Sequence, residues 1–247
     1  MRIDLGFGVS SLQGELKCAT VDSLVRGNAL VRRAKAIKDF KLTFVPIDFR
    51  KGGILVVTDA ALGNVMESGV MGSDPKVKVA SRAGYLVLLA DEALMKGHRG
   101  RFDVLDFRSH RLTRVCRSSC ACEAYGLEEG VDAADVVRGQ LAEVRGVVGD
   151  NSRTSRRVLE TVPLVAVVDA RDAHDRVRSD VAPTSGAQKS LAVTVAALRQ
   201  VFRSPASSVR WTHTENMLPD ALTKAMDASH LIAALASSVC SLYTAEI

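Results

Sequence analysis

The chain has 247 residues, 47% hydrophobic and only 4% aromatic, so it can fill one sizeable core built mostly of Val, Leu and Ala. Its 33 basic and 28 acidic side chains leave a net charge of +5, which permits a polyanionic partner without requiring one. Five cysteines, an odd number with no framework spacing, exclude a disulfide scaffold and suit a reducing compartment.

No apolar run approaches the length of a membrane span. The opening stretch MRIDLGFGVSS is too short and too polar for a signal peptide. An intracellular protein of cytoplasm or nucleus, not secreted, is expected.

Residues 15–38 show apolar positions at helical spacing with basic residues between them. Lys41–Val45 then reads as a short strand ended by Pro46. The pair makes an N-terminal appendage, 1–50, set off from a main domain, 51–247, by Arg50-Lys51-Gly52-Gly53. The run Ile54–Thr58 predicts a buried strand that stops on Asp59. Two further strands are expected at Gly84–Leu89 and Phe102–Phe107, joined by short connections into an antiparallel meander. Ser118 and Ser119 are N-cap candidates for a long helix whose apolar positions recur until Gly146. A polar, basic loop at 149–157 leads to the strand Leu164–Val168, which also stops on a carboxylate, Asp169. A helix at Lys189–Val201, a strand at Ser208–Trp211, a helix at Leu218–Ala228 and a last apolar helix over 229–241 follow.

Cys116, Cys120 and Cys122, with His110 before them, fit no common zinc-ligand spacing, and ordinary packing thiols are expected there. His174 follows Asp169 in a helix-like stretch and is expected to face solvent.

The strand directions bring acids together. If the first strand runs up, the second runs down and the third up. The long helix then runs down, and the Leu164 strand runs up again, parallel to the first and beside it. Asp59 and Asp169 therefore share the edge where parallel strands end, and Glu123 lies in the first turn of the helix that starts there. Singly, each acid has an ordinary use, in a turn or at a helix start. Gathered, they repel one another, and a cation is the usual remedy. An all-oxygen set selects a hard ion, Mg²⁺ or Mn²⁺. Two such ions, roughly 3.5–4 Å apart, suit in-line hydrolysis of a phosphodiester.

The stretches VVTDAALGN, SSCACEAYGL, LVAVVDA and VRWTHTENMLPDALTKAM resemble the four motifs of a ribonuclease H domain, in the version of copia-type retrotransposons. The resemblance spans roughly residues 54–228, and RIDLGFGVS with KAIKDFKLTF looks like the tail of the connection that follows the reverse transcriptase in such polyproteins. It implies an α/β fold: a mixed five-stranded sheet flanked by helices, with an N-terminal helical connection segment. It also implies metal-dependent cleavage of the RNA strand of RNA–DNA hybrids, two Mg²⁺ or Mn²⁺ ions, and a reverse-transcriptase domain as a possible companion. Asp59, Glu123, Asp169 and Asp220 match the four metal-binding, catalytic carboxylates, and Asp220 is found only through the resemblance. Arg171, Lys189, His213 and Asn216 are the substrate-contact candidates, and Arg153, Arg156 and Arg157 are placed near the substrate side. The chain departs from the pattern at Ala170, at Lys189-Ser190 and at Asp59-Ala60-Ala61, which bears on substrate contacts. The rival readings are a catalytically inactive, nucleic-acid-binding remnant of a retroelement and an integrase-like nuclease on the same fold.

Overall fold

The computed structural model describes residues 2–67, 78–147, 155–181 and 189–242. Arg153 lies outside them. The chain opens with a 3-10 turn, Ile3–Leu5, then α1 (Gly6–Glu15), a second 3-10 turn and α2 (Val21–Ala36). The single helical segment expected over 15–38 is thus broken near Thr20. There the backbone is extended, the Thr20 hydroxyl accepts from the Ser23 N–H, and the Ser23 hydroxyl accepts from the Thr20 N–H. This reciprocal cap starts a new helix. The strand expected at Lys41–Val45 is absent. Its N–H groups go elsewhere, Thr43 to the Leu235 carbonyl at 3.2 Å and Val45 to the Asp103 carboxylate at 2.8 Å, and Pro46 has none to give.

The main sheet begins with β1 (Gly53–Glu67), β2 (Lys78–Ala90), the one-turn helix α3 (Glu92–Met95) and β3 (Gly100–Arg111). The long helix α4 (Ser119–Val144) and the short α5 (Arg156–Leu159) lead to β4 (Leu164–Val168). Then come α6 (Arg171–Arg178), α7 (Lys189–Phe202), β5 (Ser207–Trp211), the single turn α8 (Asp220–Thr223), α9 (Ser229–Ser237) and β6 (Val239–Cys240). The strand order is β5-β4-β1-β2-β3-β6. β1, β2, β3 and β6 pair antiparallel in turn, while β4 pairs parallel with both β1 and β5. The expected mixed sheet flanked by helices is therefore present, with β4 beside and parallel to β1 as the strand directions required.

Among the described residues it has six strands where five were expected. The chain after α9 turns through Ser238, at φ 52°, and lays two residues along Gly100 and Arg101. That left-handed residue ends the helix expected to run to 241. The helix expected over Leu218–Ala228 is one turn only, because Lys224 is extended, at φ −129° and ψ 150°.

Both faces of the sheet are covered, which is why the central strands read as continuous apolar runs. Leu55, Val57, Leu86, Leu88, Val165 and Val167 bury against α8 and α9. Ile54, Val56, Val87, Leu164, Ala166 and Val168 bury against α4 and its neighbours. Two close approaches set the helix positions. A Cβ at Gly130 of α4 would meet the Thr58 methyl at 2.5 Å, so α4 lies tight on β1. A Cβ at Gly84 would meet Leu222 Cβ at 2.7 Å, so α8 sits directly on β2. No helix among the described residues is long and apolar enough to cross a membrane.

Candidate active site

Asp59 lies inside β1, not at its end. The parallel ladder with β4 stops at Val57 and Val167, while the antiparallel ladder with β2 continues through Ala61 and on to Glu67. The small residues after Asp59 read as a turn, yet they remain strand because β2 keeps pairing with them. Asp59 and Asp169 each lie two residues beyond the matched pair Val57 and Val167, so they stand level where β4 leaves the sheet. Each has the side-chain parity of its Val, which packs toward α8. α8 brings Asp220 over the same face, and Gly84, paired with Asp59 across the ladder, leaves it room.

Asp59, Asp169 and Asp220 offer carboxylate oxygens that all lie within 4.8 Å of one another, the one such group of His, Cys, Asp or Glu among the described residues. Glu123 is not in that group; expected in the helix's first turn, it falls one residue past it, because α4 starts at Ser119, its start fixed by the Ser118 hydroxyl accepting from the Ala121 N–H at 3.1 Å. It is close enough for the charges of Asp59 and Asp169 to act on it. Its Oε2 is buried and has no hydrogen-bond partner among the described residues.

The electrostatics follow from burial. Asp59 is 1% exposed. Burial pushes its carboxyl up to about 6, against the nearby Lys224 charge and a Thr223 hydroxyl bond, and with added repulsion from Asp220 and Asp169. Glu123 is raised well above the usual carboxylate range, first by burial and then by Asp59 and Asp169, with Lys224 and the Ala60 backbone N–H working the other way. In both, the buried surroundings disfavour the charged form.

Several residues hold these acids in place. The Thr223 hydroxyl donates to Asp59 Oδ2. The Thr214 hydroxyl donates to Asp169 Oδ2 at 2.9 Å, and the Trp211 indole N–H to the Asp169 carbonyl at 2.8 Å. Lys224 Nζ is 2.6 Å from Asp220 Oδ1 and 3.6 Å from Asp59 Oδ1. Burial opposes the Lys224 charge, but Asp59 and Asp220 outweigh it and raise the ammonium's pKa. None of these partners was singled out from sequence. The DALTK stretch held the signal, since Thr223 and Lys224 follow Asp220 by three and four residues and so return to its side of a helical turn.

The substrate-contact candidates lie along the same edge. Arg171 opens α6, two residues after Asp169, with its guanidinium 5.5 Å from the centre of the Trp211 ring. Lys189 is exposed at the start of α7, next to Ser190, whose hydroxyl meets the Tyr125 phenol at 2.8 Å. His213 is exposed and edge-on to Trp211, and its Nδ1 accepts from the Glu215 N–H, so it caps the turn Thr214–Asn216. Asn216 closes that turn.

Two expectations fail. Arg156 and Arg157 belong to α5, which precedes β4, so they lie at the far end of the sheet from Asp169, with Arg156 bound to Glu160 at 2.9 Å. His174 is not turned to solvent; its side chain is 12% exposed and meets Asp175 at 2.9 Å, because α6 packs against its neighbours on that side. Cys120 and Cys122 are buried free thiols in the first turn of α4, and Cys116 is half-buried.

No protein-family model and no curated protein matches the chain. Among solved structures it is similar to the N-terminal RNase H domain of rv2228c from Mycobacterium tuberculosis, solved as a fusion with maltose-binding protein. That likeness has 18% identity and a TM-score of 0.38, and covers 73% of this chain and 96% of the other. LC11-RNase H1, isolated from compost by a metagenomic approach and solved in complex with an RNA/DNA hybrid, is 14% identical, with a TM-score of 0.38, over 69% of this chain and 93% of its own. RNase H1 from the halophilic archaeon Halobacterium salinarum is 9% identical, with a TM-score of 0.33, over 66% and 86%. At these identities and scores the likeness assigns no role to any residue.

Proposed function

We propose that this chain is a divalent-metal-dependent endonuclease of the ribonuclease H type, cutting the RNA strand of RNA–DNA hybrids, and that it belongs to a copia-type retrotransposon polyprotein. In this reading residues 1–50 are the tail of a reverse-transcriptase connection region and 51–247 the nuclease domain. One observation carries it: acids from β1, from the loop after β4 and from α8 converge within 4.8 Å, with buried Glu123 beside them.

The residues fit a hard cation. All four donors are carboxylates, and Glu123 keeps a buried oxygen without a partner among the described residues. Asp59, Asp169, Asp220 and Glu123 would hold Mg²⁺ or Mn²⁺, two ions in all. Such ions, when bound, activate a water and stabilise the leaving oxygen of the phosphodiester. The chain's own residues aim the donors. Thr223 fixes the rotamer of Asp59, and Thr214 and Trp211 fix Asp169 from its side chain and its backbone. Arg171, Lys189, His213 and Asn216 would meet the backbone of the hybrid along the edge. Contacts of that kind give affinity without reading sequence, and RNA is told from DNA through its 2′-hydroxyls and groove shape.

The test is an end-labelled RNA–DNA hybrid incubated with the purified chain and Mg²⁺ or Mn²⁺, beside Asp59→Asn and an EDTA control. Metal-dependent cutting of the RNA strand alone, lost in the variant, is expected. A folded protein that binds the hybrid and never cuts it would replace the enzyme by a retroelement-derived binding domain.

A further inference from the structure

Three carboxylates within 4.8 Å, two of them buried, need a positive charge even in a protein that holds no metal. Among the described residues, the cation that meets them is Lys224, 2.6 Å from Asp220 and 3.6 Å from Asp59. It reaches them because α8 stops after one turn and the chain goes extended at Lys224, while the i,i+4 offset returns the side chain to Asp220. The ammonium is a compact point charge on a flexible stem, unlike a guanidinium. Its side chain is 42% exposed, and it borders a cavity of about 270 Å³ lined also by Asp4, Leu5, Phe7, Leu30 and Met226. The stem therefore has somewhere to go when the head leaves the acids.

We propose that Lys224 is a built-in counter-cation, a positioning residue that holds Asp59 and Asp220 together in the metal-free protein and is displaced when a divalent ion binds there. This rests on the reading of the carboxylates as ion ligands. Lys224 competes with one ion for one place, so it lowers ion affinity while it keeps the empty site folded. The N-terminal segment takes part, since Asp4, Leu5, Phe7 and Leu30 wall the space that receives the displaced side chain.

The test uses the full chain without nucleic acid: wild type, Lys224→Met and the charge-keeping Lys224→Arg. Mn²⁺ and Ca²⁺ are titrated by calorimetry, and thermal melting is followed in EDTA and in saturating Mg²⁺. Lys224→Met is expected to bind Mn²⁺ about tenfold tighter, from the loss of one opposing unit charge at contact distance. It should melt below wild type in EDTA and recover in Mg²⁺, whereas Lys224→Arg binds ions no tighter than wild type. Lys224→Met with unchanged ion affinity, or with unchanged melting in EDTA, overturns the proposal. If wild type itself binds no ion, the carboxylate reading falls with it. If wild type binds ions and cuts hybrids while Lys224→Met behaves like wild type, only the role of Lys224 is lost.

Discussion

Helix α4 buries an acid and a base fifteen residues apart, and their surroundings could hardly differ. Arg138, 2% exposed, gives its guanidinium protons to the Val162 carbonyl at 3.0 and 2.8 Å, to the Leu159 carbonyl at 2.7 Å and to Asp135 at 2.7 Å. It ties α4 to the loop that feeds β4. Glu123, toward the other end of the helix, has a buried oxygen that no described residue meets. A buried polar group with its hydrogen bonds made is a structural part; one left open is a place kept for something else. The far end of the sheet is thus built to stay as it is, and the carboxylate edge is built incomplete.

The sharpest way to break that contrast is to remove the satisfied charge. Arg138→Ala leaves the Leu159 and Val162 carbonyls and the half-buried Asp135 carboxylate without this partner, and should cost about 3–5 kcal/mol of folding stability. Urea unfolding, compared with Glu123→Gln, checks it. Glu123→Gln should cost little or raise stability in EDTA, because burial already disfavours the charged form of that carboxyl and the amide carries no charge. If Arg138→Ala were tolerated and Glu123→Gln were not, the comparison would be inverted.

Crowding at the carboxylate edge gives the next effect. Gly84→Ala places a Cβ where Leu222 Cβ would be 2.7 Å away and the Thr223 methyl 3.1 Å away. α8 must lift, at about 1–3 kcal/mol for an overpacked site. Asp220, Thr223 and Lys224 lift with it, so ion affinity should fall along with the melting temperature. Calorimetric titration with Mn²⁺ reads the first and a thermal scan the second.

Asp59 supplies a pH dependence. Its pKa, about 6 in the folded chain, lies above the ordinary carboxylate value, so the folded state binds the proton more tightly than the unfolded one. Stability without metal should therefore fall as pH rises from about 4 to 6, by at most about 3 kcal/mol, and stay low above that. Asp59→Asn should remove this slope. At pH 8 in EDTA it should melt a few degrees higher, roughly 2–4 °C per kcal/mol gained, less whatever the lost Thr223 and Lys224 contacts return. Melting curves at pH 4.5 and 8 decide the sign.

What could be read from sequence, and what could not, divides along the same line. β4 and the Ser118 cap are local: an apolar run of five and a hydroxyl before a helix are sufficient causes of what they form. The level placement of Asp59 and Asp169 follows once strand directions are right. Features made by distant partners stayed hidden. β1 continues past Asp59 only because β2 pairs with its small residues. β6 exists because Ser238 turns the chain onto β3. Arg138 looks like any helix-surface arginine until the carbonyls of Leu159 and Val162 arrive. Lys224 was visible as a letter in DALTK, but its meeting with Asp59, 165 residues earlier in the chain, is tertiary.

The same distinction separates the arginines, and here the expected effects are smallest. Arg171 stands beside Asp169 with its guanidinium over Trp211, whereas Arg156 sits at the other end of β4 and is already bound to Glu160. A strand of five residues, at about 3.3 Å each, separates the two ends by roughly 16 Å. If the hybrid lies along the carboxylate edge, Arg171→Ala should weaken its binding and lower the salt slope by about one phosphate contact. Arg156→Ala loses only an exposed i,i+4 pair and should change stability by less than about 0.5 kcal/mol and hybrid affinity not at all. Fluorescence anisotropy of a labelled hybrid, over a series of salt concentrations in Ca²⁺, measures both variants side by side. Equal losses would mean that the hybrid wraps to the far end of the sheet, and that the charges there serve binding as well as architecture.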